Sequence, residues 1–282
     1  MSMSNKSISL DELKQIELNV LKEVHKVCEE QGFRYSLVGG TLIGAIRHGG
    51  FIPWDDDIDI CMPRPDYNKL IEYCKTHETP FRLICIETEE KYSYLFAKAI
   101  NPNTTIIEEG TNRNQVEMGV YIDIFPLDGL ADDFDTACKV FNKNRFGREV
   151  LIAYNWKKYF RSKTKSIIYE PIRLGFYVIS RLVNSKKLIE KIQKQFAEDS
   201  FDRYAYCGSI GGAYRNRETM ERKICNEYAD IPFEGETFRA FKDYDAYLTN
   251  IYGDYMQLPP AEKQVSHHMF EAFWKEGEGE NE

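Results

Sequence analysis

Apolar residues recur at Leu13, Ile16, Val20, Val24 and Val27, a three-to-four-residue spacing that predicts an amphipathic helix. Ser9 with Glu12 forms a capping box at its start, and Gly32 ends it. A short strand is expected over 35–38 and a helix over 41–47, directly after the pair Gly39-Gly40. The connection 48–54 is rich in turn residues, and its Pro53 forbids a continuous helix or a central strand. A strand over 57–62 and a helix opened by Pro65 and running to about Lys75 come next. Further strands are read over 81–86, 94–100, 104–107 and 119–125, with a turn at Asn101-Pro102-Asn103.

From about Asp132 to Phe201 the pattern changes to long helical segments, with breaks near 162–165 and at Asn184-Ser185. The apolar run 167–183 is interrupted by Glu170, Arg173 and Arg181, so it reads as a core or interfacial helix and not a span. Residues 207–214 look like strand and loop. The part from Ile231 through Pro260 reads as a short helix closed by Gly253 and the Pro259-Pro260 pair. The acidic tail 276–282 is expected to be disordered. We divide the chain into a core over 1–130, a helical lobe over 131–205 and a segment over 206–282 that packs back on the core.

The chemistry sits between Leu37 and Met62. In an extended strand alternate side chains share a face, so Asp57 and Asp59 point one way and Ile58 and Ile60 the other. Two anions about 7 Å apart along a strand repel each other unless a cation lies between them. Hard oxygen ligands of this kind suit Mg²⁺ or Mn²⁺, which bind through one or two carboxylates plus substrate phosphates. Upstream, a helix N-terminus behind Gly39-Gly40 favours an anion. Downstream, Tyr121, Asp123 and Phe125 share a face of a strand whose other face is apolar, and an acid so placed is expected beside the first two.

Neighbouring patterns are excluded or weaker. The order G-G-x-x-x-G is not the Rossmann order, no Lys-Ser/Thr follows Gly44, and an EF-hand would need Gly where Ile60 stands. Arg47 and His48 are candidates for phosphate contact, against a surface Arg-His turn. Lys98, in an apolar strand, reads as a phosphate ligand or an edge-strand Lys. His267-His268 reads as structural, since adjacent residues seldom chelate one ion.

Composition narrows the partners. A formal charge of −8 over 282 residues argues against a broad nucleic-acid surface. The seven scattered cysteines contain no C-x-x-C pair and read as reduced thiols. With no signal-peptide pattern and no spanning run, a cytoplasmic protein is expected.

The wording GGTLIGAIRHGGFIPWDDDIDICMPRPDY, followed by YIDIFPLDG, resembles the LicD family of phosphocholine transferases, to which the fukutin-related sugar-phosphate transferases are similar. YLTNIYGDYMQLPP also looks like the family. The resemblance implies an α+β fold, a nucleotidyltransferase-like mixed β-sheet flanked by helices, with a largely helical lobe. It implies transfer of phosphocholine from CDP-choline to a hydroxyl of a cell-surface glycan or lipid-linked glycan, such as a teichoic acid or lipopolysaccharide precursor. Asp57 and Asp59 would then hold the metal, with Asp123 as third ligand or as base. Gly39, Gly40 and Thr41 would hold the diphosphate. Trp54, Tyr121 and Phe125 are the aromatic candidates for the choline. A lipid-linked acceptor would place the protein at the inner membrane face, in weak contact for want of a basic patch. The rival readings are transfer of a nucleotidyl or polyol-phosphate group and a non-catalytic scaffold in a surface-polymer assembly complex.

Overall fold

A 22-residue helix, α1 (Leu10–Gln31), begins at the expected capping box and ends at Gly32 in the left-handed conformation. After it come β1 (Ser36–Leu37), α2 (Gly39–His48), β2 (Asp59–Pro63), α3 (Arg64–Thr76), β3 (Arg82–Ile84), β4 (Ala97–Ile100), β5 (Thr104–Glu108) and β6 (Tyr121–Ala131). The helical stretch holds α4 (Phe134–Asn155), α5 (Glu170–Leu182), α6 (Ser185–Gln193) and the single turn α7 (Ser200–Arg203). The chain continues with β7 (Tyr206–Gly208), β8 (Met220–Glu221), β9 (Tyr228–Phe233), β10 (Glu236–Phe241), α8 (Tyr244–Tyr252) and β11 (Phe270–Trp274). This computed structural model describes residues 6–108, 110–161, 166–196, 200–265 and 270–276. The expected break at 162–165, the pair His267-His268 and the tail beyond Glu276 lie outside them.

The central sheet is mixed, as expected: its order is β1-β2-β6-β4-β3, and β7 and β8 extend it along the far half of β6. β2 runs parallel to β6, while β1, β4 and β7 pair antiparallel to their neighbours. The parallel pair sets Asp59 directly beside Asp123, and the antiparallel pair sets Lys98 on the other side of Asp123. One row of side chains across three strands therefore carries two acids and a cation.

The core lies on both faces of this sheet. Leu21 and Val24 of α1, Leu42 of α2, Ile60 of β2 and Ile124 of β6 are fully buried in it, together with Phe241 of β10 and Leu248 of α8. The Arg64 guanidinium at the start of α3 makes two bonds, of 2.7 and 2.8 Å, to the Asp128 carboxylate on β6, both groups buried. Helix α3 is thus tied to the strand that carries Asp123.

Several local expectations need correction. The carboxylate strand starts at Asp59, and Asp57 precedes it. The alternation survives all the same, with Ile58 and Ile60 fully buried and Asp57 and Asp59 only partly buried. The second motif strand is 11 residues long, because β7 pairs with its extension beyond Phe125. β4 lies between β6 and β3, so Lys98 is an interior residue and not an edge-strand Lys. The part from Ile231 on is a β9–β10 hairpin before it is a helix. Glu234 and Gly235, both at positive φ, close it as a tight two-residue turn. The Glu234 carboxylate accepts the Phe51 N–H at 2.8 Å, so the hairpin tip grips the connection between α2 and the aspartates.

Candidate active site

The aspartates stand over the N-terminus of α2, and the glycine pair is what lets them. A Cβ on Gly39, whose φ of 61° is left-handed, would lie 2.8 Å from Asp59 Oδ2. One on Gly40 would strike Asp55 Oδ2. The backbone N–H groups of this first turn and the helix dipole therefore face carboxylates already in place. Thr41, expected on the diphosphate, is engaged elsewhere. Its buried hydroxyl accepts the Asp59 N–H at 2.8 Å and bonds the Asp57 carbonyl at 3.5 Å. It pins the backbone between the two acids.

Crowding of like charge sets the electrostatics. Burial, and then the charges of Asp57 and Asp123, push the Asp59 carboxyl well above the ordinary range, against the pull of Lys98. Burial, the Asp57 charge and a hydrogen bond to Asp57 raise Asp55 to about 7. Glu17 of α1 adds to the crowding. It is 2% exposed, its Oε2 has no hydrogen-bond partner among the described residues, and its carboxyl is raised well above the ordinary range by burial and by Asp57, Asp56, Asp123 and Asp59. Lys98, 3% exposed, is paired with Asp123, its Nζ 2.5 Å from Asp123 Oδ1 and 3.4 Å from the centre of the Tyr121 ring.

A carboxylate-oxygen donor set with an orphaned buried oxygen beside it fits a hard divalent cation. Among the described residues no three His, Cys, Asp or Glu side chains are grouped as a finished cage.

A cleft of about 380 Å³ opens on these acids. Gly39, Gly40, Asp55, Asp57 and Asp59 line it together with Trp54, Phe125, Ser209, Tyr214, Glu218, Tyr247 and Tyr252. The Tyr214 and Tyr252 rings meet edge to face at 4.9 Å, and burial, with the charges of Glu218 and Asp59 among the further causes, raises both hydroxyls above the ordinary tyrosine range. Glu218 is 7% exposed and accepts the Tyr214 N–H at 2.9 Å. Burial outweighs that bond and the nearby Arg148, and lifts the carboxyl to about 7. Ser209 Oγ, also buried, has no partner among the described residues.

Of the residues singled out from the sequence, the structure brings Gly39, Gly40, Asp57, Asp59, Trp54 and Phe125 to one cleft. Asp123 and Lys98 follow Asp59 in the same row. Tyr121 lies under Lys98, its ring face taken by that cation. Arg47 turns to the Tyr255 carbonyl at 3.0 Å and to His48 Nε2 at 2.9 Å, and the His48 ring stands 6.4 Å from that of Trp54.

Sequence patterns alone do not single out Glu17, Tyr214 or Glu218. Glu17 carries a signal, since it is an acid inside the apolar stripe of α1. Tyr214 and Glu218 carry none beyond their composition.

Residues 32–151 match the nucleotidyltransferase domain described as LicD/FKTN/FKRP. Over 272 residues, 95% of this chain and 99% of the relative, the chain is 31% identical to the lipopolysaccharide cholinephosphotransferase LicD of Haemophilus influenzae. Over 34 residues, 12% of this chain and 7% of the relative, it is 59% identical to the ribitol 5-phosphate transferase FKRP of Homo sapiens.

Proposed function

The chain belongs to the LicD/FKTN/FKRP nucleotidyltransferase family, and from that footing we propose that it transfers phosphocholine from CDP-choline to a hydroxyl of a cell-surface glycan precursor, releasing CMP. The observation that carries the choline is the cleft itself, where a buried, under-compensated carboxylate stands among tyrosine rings next to the aspartates. Quaternary ammonium ions are held by aromatic faces, and a buried carboxylate adds the opposite charge. We assign the headgroup to Glu218 with Tyr214, Tyr247 and Tyr252, and the phosphates to the acidic end.

Asp57 and Asp59 would hold Mg²⁺ or Mn²⁺, with Asp123 beside them and the α2 N-terminus facing the diphosphate. Such an ion would neutralise the donor's phosphate charge and polarise the phosphorus. The acceptor oxygen forms its bond to that phosphorus as the bond to the CMP oxygen breaks, and the hydroxyl proton passes to a cleft carboxylate. Thr41 keeps Asp57 and Asp59 in register, and Lys98 fixes Asp123. The short likeness to a ribitol 5-phosphate transferase favours polyol-phosphate transfer as the second reading.

The test is CMP release and binding with CDP, CDP-choline, a CDP-activated polyol, and a donor whose ammonium nitrogen is replaced by carbon. Wild type is expected to prefer CDP-choline over the neutral analogue by about tenfold or more, from cation–π and charge contacts. In Glu218→Gln that preference should shrink to about twofold while CDP binds as before. Turnover of the polyol donor with none of CDP-choline would overturn the phosphocholine reading. A preference unchanged in Glu218→Gln would leave that reading standing and remove Glu218 from it.

A further inference from the structure

Helix α5 is built inside out. At 3.6 residues per turn, Leu174, Val178, Pro171, Leu182, Gly175, Ile179 and Ile172 cover one arc of roughly 160° without a polar residue. That arc faces outward: Ile172 is 58% exposed and Leu182 84%, and Ile168 just before the helix is 78% exposed. The charges lie on the opposite side, against the protein. Arg173 stacks over the Trp156 ring at 4.7 Å and bonds the Phe160 carbonyl at 3.3 Å. Arg181 donates to the Ala153, Tyr154 and Trp156 carbonyls at the end of α4, where a cation also meets the favourable end of the helix dipole. An ordinary surface helix presents its polar side to water. A contiguous exposed apolar face of this kind marks an interaction surface.

Charge identifies the occupant. Residues 157–196 hold eleven Lys or Arg and two acids, in a chain whose formal charge is −8. The absence of a basic patch, expected from the total, is a cancellation between this stretch and an acidic remainder. Lys157, Lys158 and Arg161 ahead of α5 and Lys187, Lys191 and Lys194 after it are all exposed. A second copy of the chain would bring like charges together across such a face. An anionic lipid surface would take both the aliphatic arc and the cations.

The helix is 13 residues, ~20 Å, too short for a hydrocarbon core of about 30 Å. No helix among the described residues is long and apolar enough to cross a membrane. We propose that α5 and its basic flanks form a peripheral membrane-binding surface, with the helix lying in the plane of an anionic bilayer's interface. The inference rests on α5 and its flanks and stands apart from the transfer reaction.

Co-sedimentation of the full chain with vesicles of phosphatidylcholine, alone or mixed with phosphatidylglycerol, tests it. Binding is expected to be at least about tenfold tighter to the anionic vesicles and to weaken as salt is raised. Ile172→Asp with Leu182→Asp, and separately Lys187→Glu with Lys191→Glu, should each reduce it by about tenfold or more while leaving the melting temperature unchanged, because all four side chains are exposed. Backbone amides of α5 should gain hydrogen-exchange protection when vesicles are added. Failure to bind either vesicle, equal binding to both, variants that bind as wild type, or self-association through this face would each overturn the proposal.

Discussion

Glu17 occupies a position that the spacing of α1 reserves for a hydrophobe, and its carboxylate faces four aspartates. Its folded-state pKa is raised, so the native state keeps the proton that the unfolded chain releases, and the wild type loses stability as pH rises through that raised value. Glu17→Gln removes the titration. In chelator it should melt with the wild type at pH 5 and above it at pH 8, and the stabilisation conferred by Mg²⁺ should be smaller than in wild type. Equal melting at pH 8, with an undiminished Mg²⁺ effect, would separate Glu17 from the site.

Glu218 follows the same sign: its carboxyl rises from an ordinary 4.5 to about 7. Its stabilising contribution is present below pH 4.5 and is lost as pH rises toward 7. Replacement by Gln should recover up to ~3 kcal/mol at pH 8 and little at pH 5, at about 1.36 kcal/mol per pKa unit. The groups around it are the Tyr214 N–H, Arg148 and the hydroxyls of Tyr214, Tyr247 and Tyr252, which burial raises above the ordinary tyrosine range, and none of them titrates across this window. The check is a pair of denaturant curves at the two pH values.

At the scale of elements, β6 carries two aspartates with opposite duties. Asp123 stands in the acid–cation row beside Asp59, and Asp128, further along the strand, is locked in a two-bond pair with the buried Arg64. Asp128→Asn leaves that guanidinium in the core without its counter-charge, and a loss of about 3–5 kcal/mol is expected. Asp59→Asn relieves repulsion instead. The metal-free protein should be as stable as wild type or more so, while turnover falls by orders of magnitude. Melting in chelator and CMP release with saturating Mg²⁺ read the two effects separately. Near-wild-type turnover in Asp59→Asn would defeat its role.

Gly40→Val tests the α2 N-terminus at the same scale. The new side chain meets the Asp55 carboxylate, so the expected result is weakened binding of CDP in a chain that still folds. Normal CDP binding would detach this turn from the phosphates.

On the scale of the molecule, the total charge conceals a division of labour. The acids gather at the sheet and the cleft, while the stretch 157–196 is strongly basic and contains an outward-facing apolar helix. Repulsion by nucleic acid can be argued from the sum, but contact with a surface depends on where the charges lie.

Local signals were enough to predict α1, α2 and α3, because apolar spacing behind a capping box, helix-forming residues after a glycine pair and a Pro in the first turn each act over a few neighbouring positions. The alternation around Asp57, Asp59 and Asp123 was legible for the same reason: period-two geometry is a property of the strand itself. Other features depended on chain segments far apart in sequence. The parallel pairing of β2 with β6 sets Asp59 against Asp123, and the hairpin over 228–241 was hidden because its turn, Glu234-Gly235, lacks the usual Asn-Gly signal. Glu218 and Tyr214 reach the aspartates only when β7, β8 and α8 pack beside the sheet, and no local pattern encodes that meeting. The outward turn of α5's apolar arc was likewise decided in three dimensions, since a helical wheel identifies two faces and only the packing of Arg173 and Arg181 against α4 says which of them meets water.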